Sequence, residues 1–359
     1  MNQFNGFQQR LLAWFDTNGR KHLPWQLQRS AYHVWLSEIM LQQTQVATVI
    51  PYFERFIKRF PTIEALASAS DDEVMQHWAG LGYYARARNL HACAKLVCEH
   101  NEGVFPDRVE LLEQLPGIGR STAGAIVAQA YHRRAVILDG NVKRVLCRYR
   151  MIAGWPGKVA VQKSLWALAD RLTPAQRVAD YTQAIMDLGA MVCRRSRPLC
   201  EQCPLQDDCH AFRHGVMEQF PEKKVRAPIP TREAYVMLCY RPATRPLILL
   251  EKRPPSGIWG GLWSLPQCEP VQVPESVLGS KYGCGGKIVE EAEPVMHTFT
   301  HYRLHIRPLM IELDDERPAV AEPSINWCDA ESYANYGMPR PIEKLIRRFF
   351  ESQSSMSAQ

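Results

Sequence analysis

Over residues 1–215 apolar side chains recur at the three-to-four-residue spacing of amphipathic helices. Pro and Gly interrupt the pattern at positions 51, 61, 80–82, 103–106, 116–119, 154–157 and 174. Ser30 and Thr173-Pro174 are capping signals ahead of two of these segments. The spacing predicts a helix over 31–50. At roughly 100° per residue, Leu36, Ile39, Gln43, Val46, Ala47 and Ile50 share one side of it. Glu38, Gln42 and Gln45 fall on the other, so Glu38 should face solvent or a cleft. The rhythm changes near 216. Residues 218–230, EQFPEKKVRAPIP, are charged and Pro-rich, as in a semi-extended linker. Short apolar or aromatic runs follow at 234–240, 247–252, 296–304 and 305–311, separated by Pro and Gly clusters, and these predict strands. A helix is expected over 341–350 and a disordered polar tail over 351–359. The expected organisation is a mainly α domain over 1–216, a linker over 217–231 and an α+β domain over 232–350.

Composition agrees with two domains in 359 residues. With 46% hydrophobic and 22% charged residues the chain reads as globular. No apolar run approaches the ~20 residues that span a bilayer. The N-terminus lacks the basic-then-apolar layout of a secretory signal, so a cytoplasmic location is expected. A net charge of +6 is only mildly basic. Its distribution says more: residues 133–150 hold Arg133, Arg134, Lys143, Arg144, Arg148 and Arg150 against the single acid Asp139. Such a stripe suits a phosphate backbone, although a solvated helix face has the same composition.

Four of the eleven cysteines lie close together: Cys193, Cys200, Cys203 and Cys209 form C-x6-C-x2-C-x5-C. In a reducing compartment this points to metal, and four thiolates can hold zinc or a [4Fe–4S] cluster. Arg194, Arg195 and Arg197 sit in the first interval, where a pinned loop would present cations to phosphate. Leu115-Pro116-Gly117-Ile118-Gly119-Arg120-Ser121 lies between two helical patterns and reads as a helix–hairpin–helix. Its glycines permit a tight turn and a close backbone approach, and the following helix offers free N–H groups to an anion. Asp139 opens a further helix, where it is expected to serve as N-cap and to be kept ionised by the helix dipole.

This combination resembles the helix–hairpin–helix DNA glycosylase superfamily. The segments Ser37-Glu38-Ile39-Met40-Leu41-Gln42-Gln43-Thr44-Gln45-Val46 and Gly80-Leu81-Gly82-Tyr83-Tyr84-Ala85-Arg86-Ala87-Arg88-Asn89 are similar to the MutY-type adenine glycosylases within it. The resemblance implies a six-helix barrel module, a cluster module with one [4Fe–4S] group on the four cysteines, and a MutT-like (Nudix) C-terminal domain. It implies excision of adenine mispaired with 8-oxoguanine or guanine in double-stranded DNA by a monomer associated with the nucleoid. Glu38 would protonate the adenine. Asp139 would stabilise or capture the sugar cation, and Asn141 would orient that carboxylate or the water. Gln43 and Tyr83 would fill the stack at the lesion, although the helical wheel puts Gln43 near the core side. Gly117, Gly119, Ser121, Arg144 and Arg194 would contact DNA, Trp25 and Gln183 the adenine, and Phe299, Thr300 and His301 the 8-oxoguanine.

Lyase-active members carry a lysine just after the hairpin glycines; Ser121 stands there and cannot form an imine. That disfavours an endonuclease III-type bifunctional enzyme. Glu38 with Asp139 disfavours a non-catalytic iron–sulfur damage sensor. Residues 258–266, IWGGLWSLP, have the flavour of the approach to a Nudix box, but no REuxEE follows, so nucleotide hydrolysis is not expected.

Overall fold

A computed structural model describes residues 3–224, 228–299, 302–314 and 323–357. They form two compact units. One comprises Met1–Ser68 with Asn89–Arg226, the other Ala69–Arg88 with Ala227–Gln359. The second unit is thus discontinuous in sequence. Residues 69–88, which the sequence pattern assigns to the helical domain, belong with the strands.

The first unit contains α1 (Gln3–Asn18), α2 (Pro24–Leu27), α3 (Ala31–Leu41), α4 (Val46–Arg59) and α5 (Ile63–Ala67). The segment lent to the second unit carries α6 (Asp71–Trp78), and α7 (Ala85–Asn101) begins in it. The first unit then continues with α8 (Val109–Leu112), α9 (Arg120–Ala130), α10 (Gly140–Arg150), α11 (Val159–Leu172), α12 (Val178–Asp187) and α13 (His210–Arg213). Phe7, Leu11 and Phe15 recur every four residues on α1 and are fully buried against α11 and α12. Burial of each such side chain contributes about 1.5–3 kcal/mol. Their cluster includes Val142, Val145 and Leu146 of α10 and Ala184, Ile185 and Leu188 at the end of α12. This core holds α10 and α12 rigidly beneath the groups described below. Among the described residues, no helix is long and apolar enough to cross a membrane.

The helix expected over 31–50 is two helices. α3 ends at Leu41, and residues 42–45 turn before α4, with Gln43 in the left-handed region at φ 60°. Gln43 therefore lies on no helix face, and its side chain is exposed. The wheel failed there because it assumed an unbroken helix.

The second unit is built on an eight-stranded mixed sheet. Its strands are β1 (Thr231–Arg241), β2 (Leu247–Lys252), β3 (Trp263–Ser264), β4 (Gln267–Cys268), β5 (Gly286–Glu291), β6 (Val295–Thr298), β7 (Arg303–Leu313) and β8 (Ile325–Cys328). The central path runs β3-β2-β1-β7-β5, and β1 and β7 pair in parallel from Thr231↔Arg303 to Tyr240↔Glu312. The run read as one strand over 296–304 divides between β6, which ends at Thr298, and β7, which starts at Arg303, and Phe299 N donates to Tyr302 O at 2.9 Å. The short α14 (Pro274–Val277) and the terminal α15 (Arg340–Ser357) complete the unit. Residues 351–357, expected to be disordered, continue α15. There the Ser352 and Ser354 hydroxyls bond back to the Phe349 and Phe350 carbonyls at 2.7 and 2.9 Å. The start of the expected linker is also tied down. The carbonyls of Met217 and Phe220 accept from buried Arg148, and Glu222 accepts from the Gly154 N–H.

Candidate active site

Ser30 caps α3 by accepting from the His33 N–H, and Glu38 lies two turns along, half-buried between buried Ser37 and Ile39. Burial, and secondly the charge of Asp139, push its carboxyl up to about 8. At neutral pH it therefore carries a proton.

Asp139 caps α10 and accepts from the Val142 N–H at 2.8 Å. Two contacts place it. Ser121 Oγ accepts from the Leu138 N–H at 3.0 Å, and Gly124 lets α9 approach so closely that a Cβ there would lie 2.2 Å from the Val136 carbonyl oxygen. Ser121 is thus not the cap of α9; its hydroxyl oxygen anchors the residue before Asp139. Burial raises the Asp139 carboxyl. The Val142 and Asn141 N–H groups and the charges of Arg144 and Lys143 pull it back. The expected outcome, a carboxyl simply kept ionised by the helix end, is corrected: desolvation is the largest influence. The influences on the two carboxyls differ: Asp139 receives N–H donors and nearby cations, whereas Glu38 feels desolvation and the charge of Asp139.

Asn141 Oδ1 accepts from Arg144 Nη2 at 2.7 Å. The same guanidinium donates to the carbonyls of Gly189 and Cys193, both at 2.7 Å. Gly189 is needed there, since a Cβ would come within 2.6 Å of Asn141 Cβ. Arg144, expected at the DNA backbone, spends its donors inward. Arg148 does so more completely. It is 2% exposed and donates to the carbonyls of Met217, Phe220, Arg194 and Arg195 and to Cys193 Sγ at 3.4 Å. The basic stripe over 133–150 is therefore not a single phosphate-facing surface.

All eleven cysteines are free thiols. Cys193, Cys203 and Cys209 pack against the core under α10, and short helical turns over Cys200–Gln202 and Gln206–Asp208 carry the loop between them. Burial raises the thiols of Cys200, Cys203 (to about 12) and Cys209, and each also feels the charge of Cys193. Among the described residues no group of three His, Cys, Asp or Glu is already drawn into a metal site. The donor set nevertheless fits a thiolate-bound group: four thiols share one loop, and Arg148 lies beside it as a buried cation. Arg194, Arg195 and Arg197 are exposed on the same loop.

The hairpin between α8 and α9 separates the roles of its glycines. Gly117 has φ 77°, and a Cβ would lie 2.9 Å from Asn89 Cβ; Gly119 has an ordinary negative φ and nothing within 4 Å. No side chain caps α9, so its first N–H groups are left to an external acceptor.

Trp25 is 3% exposed and meets Phe53 edge-on at 5.3 Å. Gln183 sits in a buried polar chain that sequence reading missed. The fully buried carboxylate of Asp187 takes three N–H groups of Arg20 and the amide of Gln183 at 2.8 Å. The Gln183 oxygen must then face Gln26, whose Nε2 donates to it at 2.7 Å and to Gln129 at 2.9 Å. That leaves the buried Gln26 Oε1 with no hydrogen-bond partner among the described residues. An orphaned acceptor in such a place is costly unless a ligand fills it. Residues 20, 26, 129, 183 and 187 carry no local motif; only the fold gathers them.

In the second unit, Tyr83 is 44% exposed with φ 52°, directly after Gly82, which like Gly80 also has positive φ. Trp78 and Arg86 hold it from behind: each donates to the Gly82 carbonyl, and the Arg86 guanidinium stacks on both rings at 5.4 Å. Phe299 lies against His297, Tyr302 and Trp259 at 4.5, 4.9 and 5.9 Å between ring centres. Thr300 and His301 lie outside the described residues.

Comparison with known proteins agrees with this arrangement. Residues 36–171 match the model of the HhH-GPD superfamily base excision DNA repair proteins, and residues 235–348 match the NUDIX domain. The adenine DNA glycosylase of Buchnera aphidicola (subsp. Acyrthosiphon pisum) is 36% identical over 96% of this chain and 97% of its own. That of Homo sapiens is 35% identical over 96% of this chain and 74% of its own. Among solved structures, a thermostable thymine-DNA glycosylase superposes with a TM-score of 0.52 at 25% identity, covering 59% of this chain and 97% of its own. Endonuclease III in a DNA complex shares the fold, with a TM-score of 0.50 at 21% identity over 60% of this chain and 99% of its own. With a protonated glutamate and a capped aspartate on a helix–hairpin–helix framework, and a sheet unit of Nudix type, the chain belongs to the adenine DNA glycosylases.

Proposed function

We propose that the chain hydrolyses the N-glycosidic bond of adenine paired with 8-oxoguanine, and more slowly with guanine, in duplex DNA, leaving the abasic strand intact. The observation that carries this is a pair of carboxyls in unlike surroundings: Glu38 is pushed up to about 8, whereas Asp139 accepts from the Val142 N–H and feels the charges of Arg144 and Lys143. Adenine leaves poorly as an anion. Glu38 gives its proton to N7 as the C1′–N9 bond breaks and the bonding electrons pass to the base. Asp139 stabilises the cationic sugar, a division of labour shared with glycosidases. Water then adds to C1′ and returns a proton to Glu38. Asn141, held by Arg144, keeps Asp139 or the water oriented.

The base must leave the stack, at a cost on the order of a few kcal/mol. Tyr83, held outward by Trp78 and Arg86, and exposed Gln43 are suited to fill the gap. Trp25 offers an apolar wall for the flipped adenine, Gln183 closes one edge, and Gln26 Oε1 accepts from its exocyclic amine. The N-terminus of α9 behind Gly119, together with Arg194 on the cysteine loop, takes backbone phosphates. Cys193, Cys200, Cys203 and Cys209 hold one [4Fe–4S] cluster, which when bound adds electrostatic and structural support to the loop bearing Arg194. Phe299, with Thr300 and His301, reads the 8-oxoguanine. We place the protein on nucleoid DNA as a monomer.

Single-turnover reaction of a duplex with one adenine opposite 8-oxoguanine, developed with and without hot alkali, tests the proposal. Strand breaks only after alkali are expected, because Ser121 cannot form an imine. Breaks without alkali overturn the hydrolytic reading, and no base release from protein with its cluster intact overturns the activity.

A further inference from the structure

We infer that Arg88 and Gly337 are positioning residues that lock the Tyr83 wedge to the Phe299 loop, so that recognition of the base opposite adenine and insertion of the wedge occur as one event. The inference rests on the reading of Tyr83 and Phe299 given above.

Both groups lie in the second unit, although Tyr83 precedes Phe299 by more than 200 residues. A continuous path joins them. Phe299 and His297 pack on Trp259, with ring centres 5.9 and 5.8 Å away. Trp259 is 5% exposed and has φ 55°, a conformation that a bulky residue keeps only when its surroundings enforce it. The next carbonyl, that of Gly260, accepts a short hydrogen bond from Arg88 Nη1. The left-handed Gly261 beside it leaves room for the arginine stem: its Cβ position is 3.6 Å from Arg88 Cδ. Arg88 lies one turn into α7, directly after the Gly80–Tyr84 turn that presents Tyr83.

A second attachment holds the other side of the wedge. Gly337 lies so close to α6 that a Cβ would meet the Met75 carbonyl and Gln76 nitrogen at 2.9 Å. Asp72 at the start of α6 accepts from Lys252 Nζ at 2.6 Å and Trp263 Nε1 at 3.2 Å. The ion pair is half exposed and contributes little. The half-buried, charge-assisted bond of Arg88 and the backbone approach at Gly337 set the spacing. The Tyr83 turn is thus clamped at both ends, through α6 and through α7, by the unit that carries Phe299. A displacement of the partner base at Phe299 moves the wedge with it.

The test compares Arg88→Met, Arg88→Lys and Gly337→Ala with the unaltered chain, using duplexes with adenine opposite 8-oxoguanine or guanine. Single-turnover rates give the partner preference. 2-Aminopurine beside the 8-oxoguanine reports unstacking by the wedge, and Tyr83→Ala supplies the zero of that signal. Thermal melts identify any variant that fails to fold. Arg88→Met and Gly337→Ala should each lower the preference for 8-oxoguanine roughly tenfold, the scale of one charge-assisted hydrogen bond, and reduce the fluorescence rise on the 8-oxoguanine duplex. Arg88→Lys, which keeps a donor, should restore part of both. Folded variants with unaltered preference and fluorescence overturn the lock alone. An unaltered chain that excises adenine equally opposite both partners overturns the reading of the partner base, and the lock with it.

Discussion

In the proposed reaction Glu38 must hold a proton that a free glutamic acid would lose, and its surroundings push its carboxyl up to about 8. The excision rate should therefore stay high below about pH 8 and fall as pH rises through that value, as the donor loses its proton. On the acid side the rate should fall as Asp139 is protonated, at a pH above that of a free aspartic acid because burial raises it. Single-turnover rates between pH 5 and 9.5 measure both limbs; a profile that is flat through pH 8 would contradict the role given to Glu38. The same burial has a thermodynamic cost. A folded-state value above the unfolded one means stability is fully present below the unfolded value and is lost as pH rises through about 8. Glu38→Gln should abolish excision yet raise Tm, by more at pH 9 than at pH 5. A feature that is local was legible in the sequence: Asp139 as the cap of α10; the apolar face expected opposite Glu38 was not, since α3 is buried around most of its circumference. Gln43 was misplaced because a helical wheel cannot see a turn. Gln26, Gln129 and Asp187 were invisible because their significance lies in meeting one another across more than 100 residues.

Helix–hairpin–helix elements are readable because glycine and proline mark them, but the sequence does not say which glycine the chain itself needs. The structure does. Gly117→Ala must adopt φ 77° and crowd Asn89, so it should destabilise by about 2 kcal/mol, seen as a lower melting temperature. Gly119→Ala meets nothing, so the melt should be unchanged while DNA affinity falls, because the added methyl occupies the open approach to α9. α10 teaches the converse. Its arginines read as a solvent-facing stripe, since a helix pattern does not reveal a loop folded over that face. Buried Arg148 donates to four carbonyls and a sulfur of the covering segments. Arg148→Met should cost on the order of 3 kcal/mol and open residues 193–220 to limited proteolysis, whereas Arg133→Met, an exposed change, should do neither.

At the scale of the molecule, the shift from helical to strand-like rhythm announced a mainly α, then α+β, succession. It could not announce that Ala69–Arg88 is packed with the second unit, because those residues have an ordinary helical pattern and their partners lie far downstream. A chain ending at 226 should keep the fold of the first unit but lose protection of residues 69–88 in hydrogen exchange, while α9 and α10 remain protected. Equal protection of 69–88 in the fragment and the full chain would show that the segment needs no partner. The discontinuity also bears on how the protein is made. Residues 69–88 leave the ribosome roughly 160 residues before β2, whose Lys252 pairs with Asp72, a delay of about 8–32 s at ~5–20 residues per second. Until β3 and the turn at Gly337 have been synthesised, the Tyr83 segment has no seat. A nascent or truncated chain can complete its pair of carboxyls while the Tyr83 segment is still unplaced, so, on the proposed reading, only the longer polypeptide joins base excision to inspection of the partner base.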